Sequence, residues 1–163
     1  MKMKTTLKNR MLSVITMGTI LLFTFSACKK DAEGSIVLNR NVTVYLSGIQ
    51  EVPSNTSTGT GTGQVLFDPI AKTITYTLTW TLGSSSATTA NMHFHGAEDG
   101  SDIKSSPVII GITGFTTANT GTISGVTRAL TDVEVLQLLG GKWYMNVHSS
   151  TLPAGEIRGN IKF

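Results

Sequence analysis

From Ile36 onward, apolar and polar residues alternate along much of the chain with a period of two. The clearest stretch is residues 73–82, in which every even-numbered residue is apolar and every odd-numbered residue is threonine. Residues 42–47 follow the same rule, with Val42, Val44 and Leu46 on one side. Because side chains two apart on a strand share a face, the pattern predicts strands with one buried and one solvated side.

Turn residues divide this pattern into separate strands. Asp68-Pro69 predicts a turn that makes residues 63–82 an antiparallel hairpin, and the Gly/Thr/Ser-rich stretch 54–63 is typical of a flexible loop. Further strands are predicted near residues 89–95, 107–113, 120–128, 142–148 and 155–162. Short strands at this spacing, joined by Gly-rich connections, predict a sandwich or a barrel.

One short helix interrupts the strands. Thr131 and Glu134 have the spacing of a capping box, in which each side chain bonds the backbone N–H of the other residue. An apolar run over residues 135–139 follows, and Gly140-Gly141 predicts the end of the helix after about two turns. A helix this short requires packing against the sheet to be stable.

The first 27 residues have the layout of an export signal. Four positive charges in residues 1–10 precede an uncharged, mostly apolar run over residues 11–25, and the small residues Ser26 and Ala27 lead to Cys28. The sequence FSAC resembles a bacterial lipobox, which implies removal of residues 1–27 and acylation of Cys28. The alternatives are a cleaved signal followed by a free thiol, or a retained membrane helix.

The lipobox reading assigns residues 28–35 to a polar tether and residues 36–163 to the folded domain. We expect an outer-membrane lipoprotein of the cell envelope, held by its lipid and exposed to the periplasm or at the cell surface. The formal charge of +3 comes from the leader, since nine basic and ten acidic residues remain from Cys28 onward. This balance argues against a nucleic-acid partner. A single cysteine excludes an intrachain disulfide and a zinc site with two thiolates.

The three histidines lie in two predicted strands. His93 and His95 are two apart and therefore share a face, and His148 lies at the end of another strand, on the same face as Asn146. If these strands are neighbours, three imidazoles converge, and imidazole is a good ligand for copper and zinc. The alternative is a structural cluster whose histidines bond the backbone or carboxylates.

A second polar group lies on the last predicted strand. Glu156 and Arg158 share a face there, and we expect them to form a structural network with Asn146 and Glu51 that fixes strand register. A functional alternative is that Glu156 orients a histidine. No nucleophile, phosphate-binding or dinucleotide motif is present, so no catalytic residue is assigned.

Four segments resemble the CHRD domain, which is named for chordin and is common in bacterial secreted proteins. They are LSGIQEVP at 46–53, MHFHG at 92–96, YMNVHS at 144–149 and PAGEIRG at 153–159. The resemblance implies an all-β, antiparallel immunoglobulin-like or superoxide-dismutase-like β-sandwich. The His-x-His strand also resembles the copper-ligand strand of copper–zinc superoxide dismutase, although that enzyme uses more ligands than the three histidines here.

These inferences favour a membrane-anchored, extracytoplasmic lipoprotein with a single CHRD domain. Its expected role is that of a non-catalytic binding or structural module for an unknown extracellular or periplasmic ligand, with no cofactor assigned. The alternative is a copper- or zinc-binding metalloprotein that uses His93, His95 and His148, either without redox activity or as a redox enzyme.

Overall fold

The structure is a computed structural model that describes residues 38–96 and 104–163. The chain divides into two units, Met1–Ser35 and Ile36–Phe163. The signal peptide, Cys28 and the tether lie outside the described residues, so these assignments stay predictions. Among the described residues, no helix has the length and apolar character needed to cross a membrane.

The described part of the domain contains eight antiparallel strands, one α-helix and a short 3-10 helix at Gly48–Gln50, which confirms the all-β prediction with one short α-helix. The strands are β1 (Arg40–Ser47), β2 (Thr60–Asp68), β3 (Thr73–Thr81), β4 (Thr89–Gly96), β5 (Val108–Gly111), β6 (Thr120–Val126), β7 (Trp143–Ser149) and β8 (Ile157–Ile161). Helix α1 (Asp132–Leu139) lies between β6 and β7. Residues 60–63 belong to β2, so the predicted loop over 54–63 is too long by four residues.

All eight strands join one hydrogen-bonded sheet in the order β5-β4-β7-β8-β1-β2-β3-β6. The sheet has two four-stranded arms: the β7 arm (β5, β4, β7, β8) and the β1 arm (β1, β2, β3, β6). The register between β1 and β8 consists of one pair, Ser47 and Arg158. The sheet curls into a half-barrel about this junction, and the inner faces of the two arms pack together as the layers of a sandwich do.

The core fills the space between the arms. The rings of Tyr76 on β3 and Phe94 on β4 meet edge to face with centroids 5.2 Å apart. Trp80 is fully buried, and its indole N–H donates to Oγ1 of Thr89 over 2.8 Å. The apolar face predicted for residues 73–82 is therefore the core face of the β1 arm.

Helix α1 covers one end of the curled sheet. The capping box is confirmed: Oγ1 of Thr131 accepts from the Glu134 N–H, and the Glu134 carboxylate accepts from the Thr131 N–H. Leu138 is fully buried against the sheet, and Lys72 in the β2–β3 turn pairs with Asp132 over 2.6 Å. This end of the sheet, where β1 and β3 begin and β2 ends, is called the helix end below.

The outer faces of the two arms differ in what covers them. On the β1 arm, threonine hydroxyls are exposed and pair across β3 and β6, as in Thr79 with Thr122 and Thr81 with Thr120. On the β7 arm, the outward side chains of Tyr144, Asn146 and Arg158 are buried. Three loop segments bond this outer face, and the histidines lie there as well.

Candidate functional site

The three histidines meet on the outer face of β4 and β7, which are paired neighbours in the sheet. His93 lies opposite Asn146 and His148 lies opposite Asn91, so His93 and His148 are diagonal neighbours. One ring nitrogen from each of His93, His95 and His148 lies within 4.8 Å of the other two. The structure thus brings together the three residues selected from the sequence, on strands that are adjacent as expected.

His93 and His148 form the closest pair in the cluster. Nδ1 of His93 is 3.2 Å from Nε2 of His148, while Nδ1 of His148 lies 2.9 Å from the carbonyl oxygen of Pro153. A carbonyl only accepts, so Nδ1 of neutral His148 carries the proton and its Nε2 presents a lone pair. In the described contacts, that lone pair accepts the Nδ1–H of His93.

His95 is held more tightly and is buried. Its Nδ1 lies 2.8 Å from the carbonyl oxygen of Ser106, and its Nε2 lies 3.0 Å from Oδ1 of Asn146. Its ring stacks on Tyr144 with centroids 4.5 Å apart and an interplanar angle of 5°. The Tyr144 hydroxyl in turn accepts from the Ser106 N–H. The ring plane of His95 is therefore fixed from two directions.

The cluster favours neutral imidazoles at His93 and His95. Burial, followed by repulsion from His148 and His95, lowers the pKa of His93 to about 4. Burial also lowers the pKa of His95, and this effect exceeds the raising effect of its hydrogen bonds to Ser106 and Asn146. Neutral rings have lone pairs that can bind a metal ion or accept a proton.

Asn146 connects His95 to Glu51. Its Nδ2 lies 3.5 Å from Oε1 of Glu51, and Glu51 is only 7% exposed. Burial raises the pKa of Glu51 to about 7 against the opposing attraction of Arg158.

Two proton arrangements satisfy this chain. A protonated His95 donates from both nitrogens, and the Asn146 amide then donates to an ionised Glu51. A neutral His95 accepts from the amide after a half-turn of Asn146, which then accepts from a protonated Glu51. The lowered pKa of His95 and the raised pKa of Glu51 both favour the second arrangement.

Gly155, in the loop between β7 and β8, allows the Glu51 carboxylate to approach this loop closely. Its φ of +132° lies in the region that side chains rarely adopt, and an added Cβ would lie 2.5 Å from Oε1 of Glu51. A larger residue would therefore both strain the backbone and displace the carboxylate.

Arg158 is the buried cation of the β7 arm, at 1% exposure. Its guanidinium carbon lies 3.5 Å from the centroid of the Tyr144 ring, and its Nη1 donates to the carbonyl oxygen of Lys104. Because β7 lies between β4 and β8, Tyr144 is the middle layer between His95 and Arg158. The guanidinium also lowers the pKa of Glu51, so the expected electrostatic link between these two residues is present.

Glu156 belongs to a different contact than the one expected. Its Oε1 accepts from the Ser57 hydroxyl over 2.7 Å and from the Gly83 N–H over 2.6 Å. These partners are loops of the β1 arm, so Glu156 ties the two arms together and is neither part of the Glu51–Asn146–Arg158 network nor bonded to a histidine. Asn55 fixes the same loop by donating to the carbonyl oxygens of Gly155 and Glu156.

The donor set fits a transition-metal ion. Ligand nitrogens about 2.0–2.1 Å from a tetrahedral ion are about 3.3–3.4 Å apart, close to the 3.2 Å between His93 and His148. The three nitrogens lie within 4.8 Å of one another, so a small rotation of the half-buried His93 is needed for all three to bind one ion. The Nδ1–H bonds of His148 and His95 to backbone carbonyls match the outer contacts that orient metal-binding histidines.

Comparison with known protein families identifies the domain. The model of the CHRD domain family matches residues 42–161, which is most of the chain and nearly all of the described residues. The chain belongs to the CHRD domain family. Neither the curated proteins nor the solved structures include a match. Membership of the CHRD family supports a binding or structural module, and the matched range contains all seven of the predicted site residues apart from Cys28.

Several residues of the site were not predicted from the sequence. Tyr144 lies two residues before Asn146 and so shares its strand face, and it stacks on His95; the carbonyl oxygens of Ser106 and Pro153 hold the histidine rings. Backbone acceptors leave no signal in residue type. The aromatic Tyr144, on an otherwise polar strand face of this CHRD domain, was the one signal that could have been used.

Proposed function

We propose that this protein is an envelope-anchored CHRD module that binds one divalent transition-metal ion, copper or zinc, through His93, His95 and His148. The observation that supports the proposal is the convergence of three imidazole nitrogens within 4.8 Å. Backbone carbonyls hold Nδ1 of two of the rings, and the Nε2 of His148 then lies 3.2 Å from His93, while the Nε2 of His95 contacts Asn146.

The electrostatics of the cluster support a metal ion more than a bound anion. His93 and His95 have lowered pKa values and are neutral at pH 7, so they carry little positive charge. A metal ion would take the Nε2 lone pair of His95 in place of the Asn146 amide. Bound metal would supply a positive charge among these neutral rings. Because protons compete for the same lone pairs, metal binding weakens at low pH. Because the pKa of His93 is lowered to about 4, protonation of His93 competes with metal binding only as the pH approaches 4.

The site is open enough to exchange ions with solvent. His93 and His148 are half-buried, while His95 beneath them is buried. Such an arrangement has a fixed inner ligand and two outer ligands within reach of solvent.

The anchor in this proposal is an acylated Cys28. The small residues before Cys28, the apolar run and the polar tether over 28–35 support it. More than one acyl chain is needed for stable attachment, since a single chain binds a membrane only marginally. The protein would then present its metal site in the periplasm or at the cell surface, where a further ligand of the domain would be met.

Metal titration of the purified full chain tests the metal proposal. We expect one equivalent of copper(II) or zinc(II) to bind at pH 7.5, and His148→Ala to weaken binding about tenfold or more, at least the scale seen when a ligand loses its orienting partner. Asn91→Ala is the matched control, because Asn91 is exposed on the same face of β4 and lies opposite His148. Equal affinity of the wild type and His148→Ala would overturn the proposal.

A further inference from the structure

Large apolar side chains are exposed together at the helix end. Ile70 in the β2–β3 turn is 80% exposed, and Val133, Leu136 and Leu139 form an exposed stripe on α1. Leu38, which directly precedes β1, is also exposed. With Val126 at the end of β6, at least six exposed apolar side chains of the described residues lie at this end of the sheet.

The contacts of the β2–β3 turn bring these residues to the same end. Arg40 at the start of β1 pairs with Phe67 at the end of β2, directly before the turn that contains Ile70. Lys72 in the same turn pairs with Asp132 of α1, and its carbonyl oxygen accepts from the Leu130 N–H. Leu38, Ile70 and the first turn of α1 therefore surround one end of the β1 arm.

The chain enters the domain at the helix end, so the length of the segment before it limits how far the helix end can lie from an anchor at Cys28. Nine residues separate Cys28 from Leu38. Fully extended, this segment spans at most about 33–36 Å. If Cys28 is acylated, the helix end cannot be farther than that from the membrane, whereas the opposite end of β1, about 25 Å from the helix end, can lie that much farther away.

We infer that the helix end is a membrane-docking surface, with Ile70, Val133, Leu136 and Leu139 inserted at the phospholipid headgroup boundary. This inference rests on the acylation of Cys28 in the proposed function. A short tether holds the exposed apolar side chains next to the bilayer, so their burial there costs little further entropy. Interfacial helices bury an apolar face in this way about 5–10 Å deep.

The docking surface also orients the metal site. His148 lies five residues along β7 from Trp143 at the helix end, roughly 17 Å away, whereas His95 lies one residue from Gly96 and is the histidine nearest to that end. The histidine cluster would then face sideways above the membrane surface and stay accessible to solvent. Docking uses the exposed side chains of the β2–β3 turn and α1, and metal binding uses the outer face of β4 and β7, so the two use different residues.

Lipid-quenching of a site-specific probe tests the inference. The acylated full chain is placed in phosphatidylcholine vesicles that contain a spin-labelled lipid, with a fluorophore on Leu136→Cys or Ile70→Cys. Acylated Cys28 has no free thiol, so the new cysteine is labelled selectively. Ile49→Cys is the matched control, because Ile49 is 78% exposed and lies beyond the opposite end of β1.

We expect several-fold stronger quenching at positions 136 and 70 than at 49. The double substitution Val133→Asn/Leu136→Asn should reduce quenching at position 70 to the level seen at 49. Equal quenching at 136, 70 and 49 in protein that co-floats with the vesicles would overturn the docking surface and leave the anchor intact. Intact-mass measurement of an unmodified Cys28 would instead overturn the anchor, and the docking inference with it, without bearing on the metal site.

Discussion

The two arms of the sheet share one core, but their outer faces differ in whether the polar side chains are exposed or buried. The β1 arm exposes threonines such as Thr75 and Thr79 to solvent, as a sheet with one apolar face does. The β7 arm buries polar and charged side chains on its outer face, among them Asn146 and Arg158. Burial of polar groups is costly unless each has a hydrogen-bond partner. The buried polar groups therefore single out the outer face of the β7 arm as a candidate functional face.

The partners on the β7 arm come from segments distant in sequence. Glu51 follows β1, Lys104 and Ser106 precede β5, and Pro153 lies between β7 and β8. These segments turn an ordinary strand face into an enclosed polar layer. The β1 arm therefore carries the folding pattern, while the β7 arm carries the candidate chemistry.

The largest effect should come from a charge in the shared core. Trp80→Asp removes a fully buried ring and its hydrogen bond to Thr89, and it places a carboxylate between the arms. Loss of the aromatic ring alone costs about 3–5 kcal/mol, so we expect the domain to be unfolded at 25 °C by circular dichroism. Thr79→Asp is the control on the exposed face of the same strand, and it should melt close to the wild type. Similar melting of both variants would contradict the assignment of the core face.

A smaller effect is expected from the buried cation of the β7 arm. Arg158→Met leaves the Lys104 carbonyl without this donor and Glu51 without a nearby positive charge. Removing one partner of a buried polar network costs about 3–5 kcal/mol, measured by urea unfolding. Arg128→Met is the control, because Arg128 is half exposed in its pair with Glu134 and should cost about 0.2–1 kcal/mol. Equal costs for the two variants would show that the outer face of the β7 arm is not an enclosed layer.

The smallest effect is a pH dependence. The pKa of Glu51 is raised in the folded protein, so between about 4.5 and about 7 the folded state holds a proton that the unfolded state has lost. Stability from this group is therefore lost as pH rises through that window. Glu51→Gln removes this pH dependence. The free energy of unfolding of the variant minus that of the wild type should therefore rise by about 3 kcal/mol between pH 4 and pH 8.

Glu134→Gln is the opposite case for comparison. Its hydrogen bond from Arg128 lowers the pKa of Glu134 to about 2, so the stability it contributes is complete above pH 4.5. The difference between Glu134→Gln and the wild type should be constant from pH 5 to pH 8. A constant difference for Glu51→Gln over the same range would show that Glu51 ionises without cost.

The β1 arm could be predicted well from the sequence because its information is local. A strict period of two fixes the inward face of residues 73–82, and the capping box fixes the start of α1 at Asp132. The convergence of the histidines also followed from local spacing, once β4 and β7 were taken as neighbours.

The β7 arm could be predicted only in part because its partners are not local. Glu156 and Arg158 share a strand, yet Glu156 reaches Ser57 and Gly83 across the junction of the arms while Arg158 stacks on Tyr144. The order of the strands and the paths of the loops decide this, and neither follows from alternation. The segment 54–59, expected to be flexible, is tied down for the same reason, through Asn55 and Ser57.

The two main-chain oxygens that orient His148 and His95 have a consequence for mutagenesis. Replacing the side chain of Pro153 or Ser106 leaves each carbonyl oxygen in place. An alanine scan would therefore detect the contribution of the imidazoles but not that of the carbonyl oxygens that orient them. Changing loop length would move the oxygens instead. Inserting or deleting a residue between Ser149 and Gly155 is therefore the way to retune this cluster without altering any of its ligands.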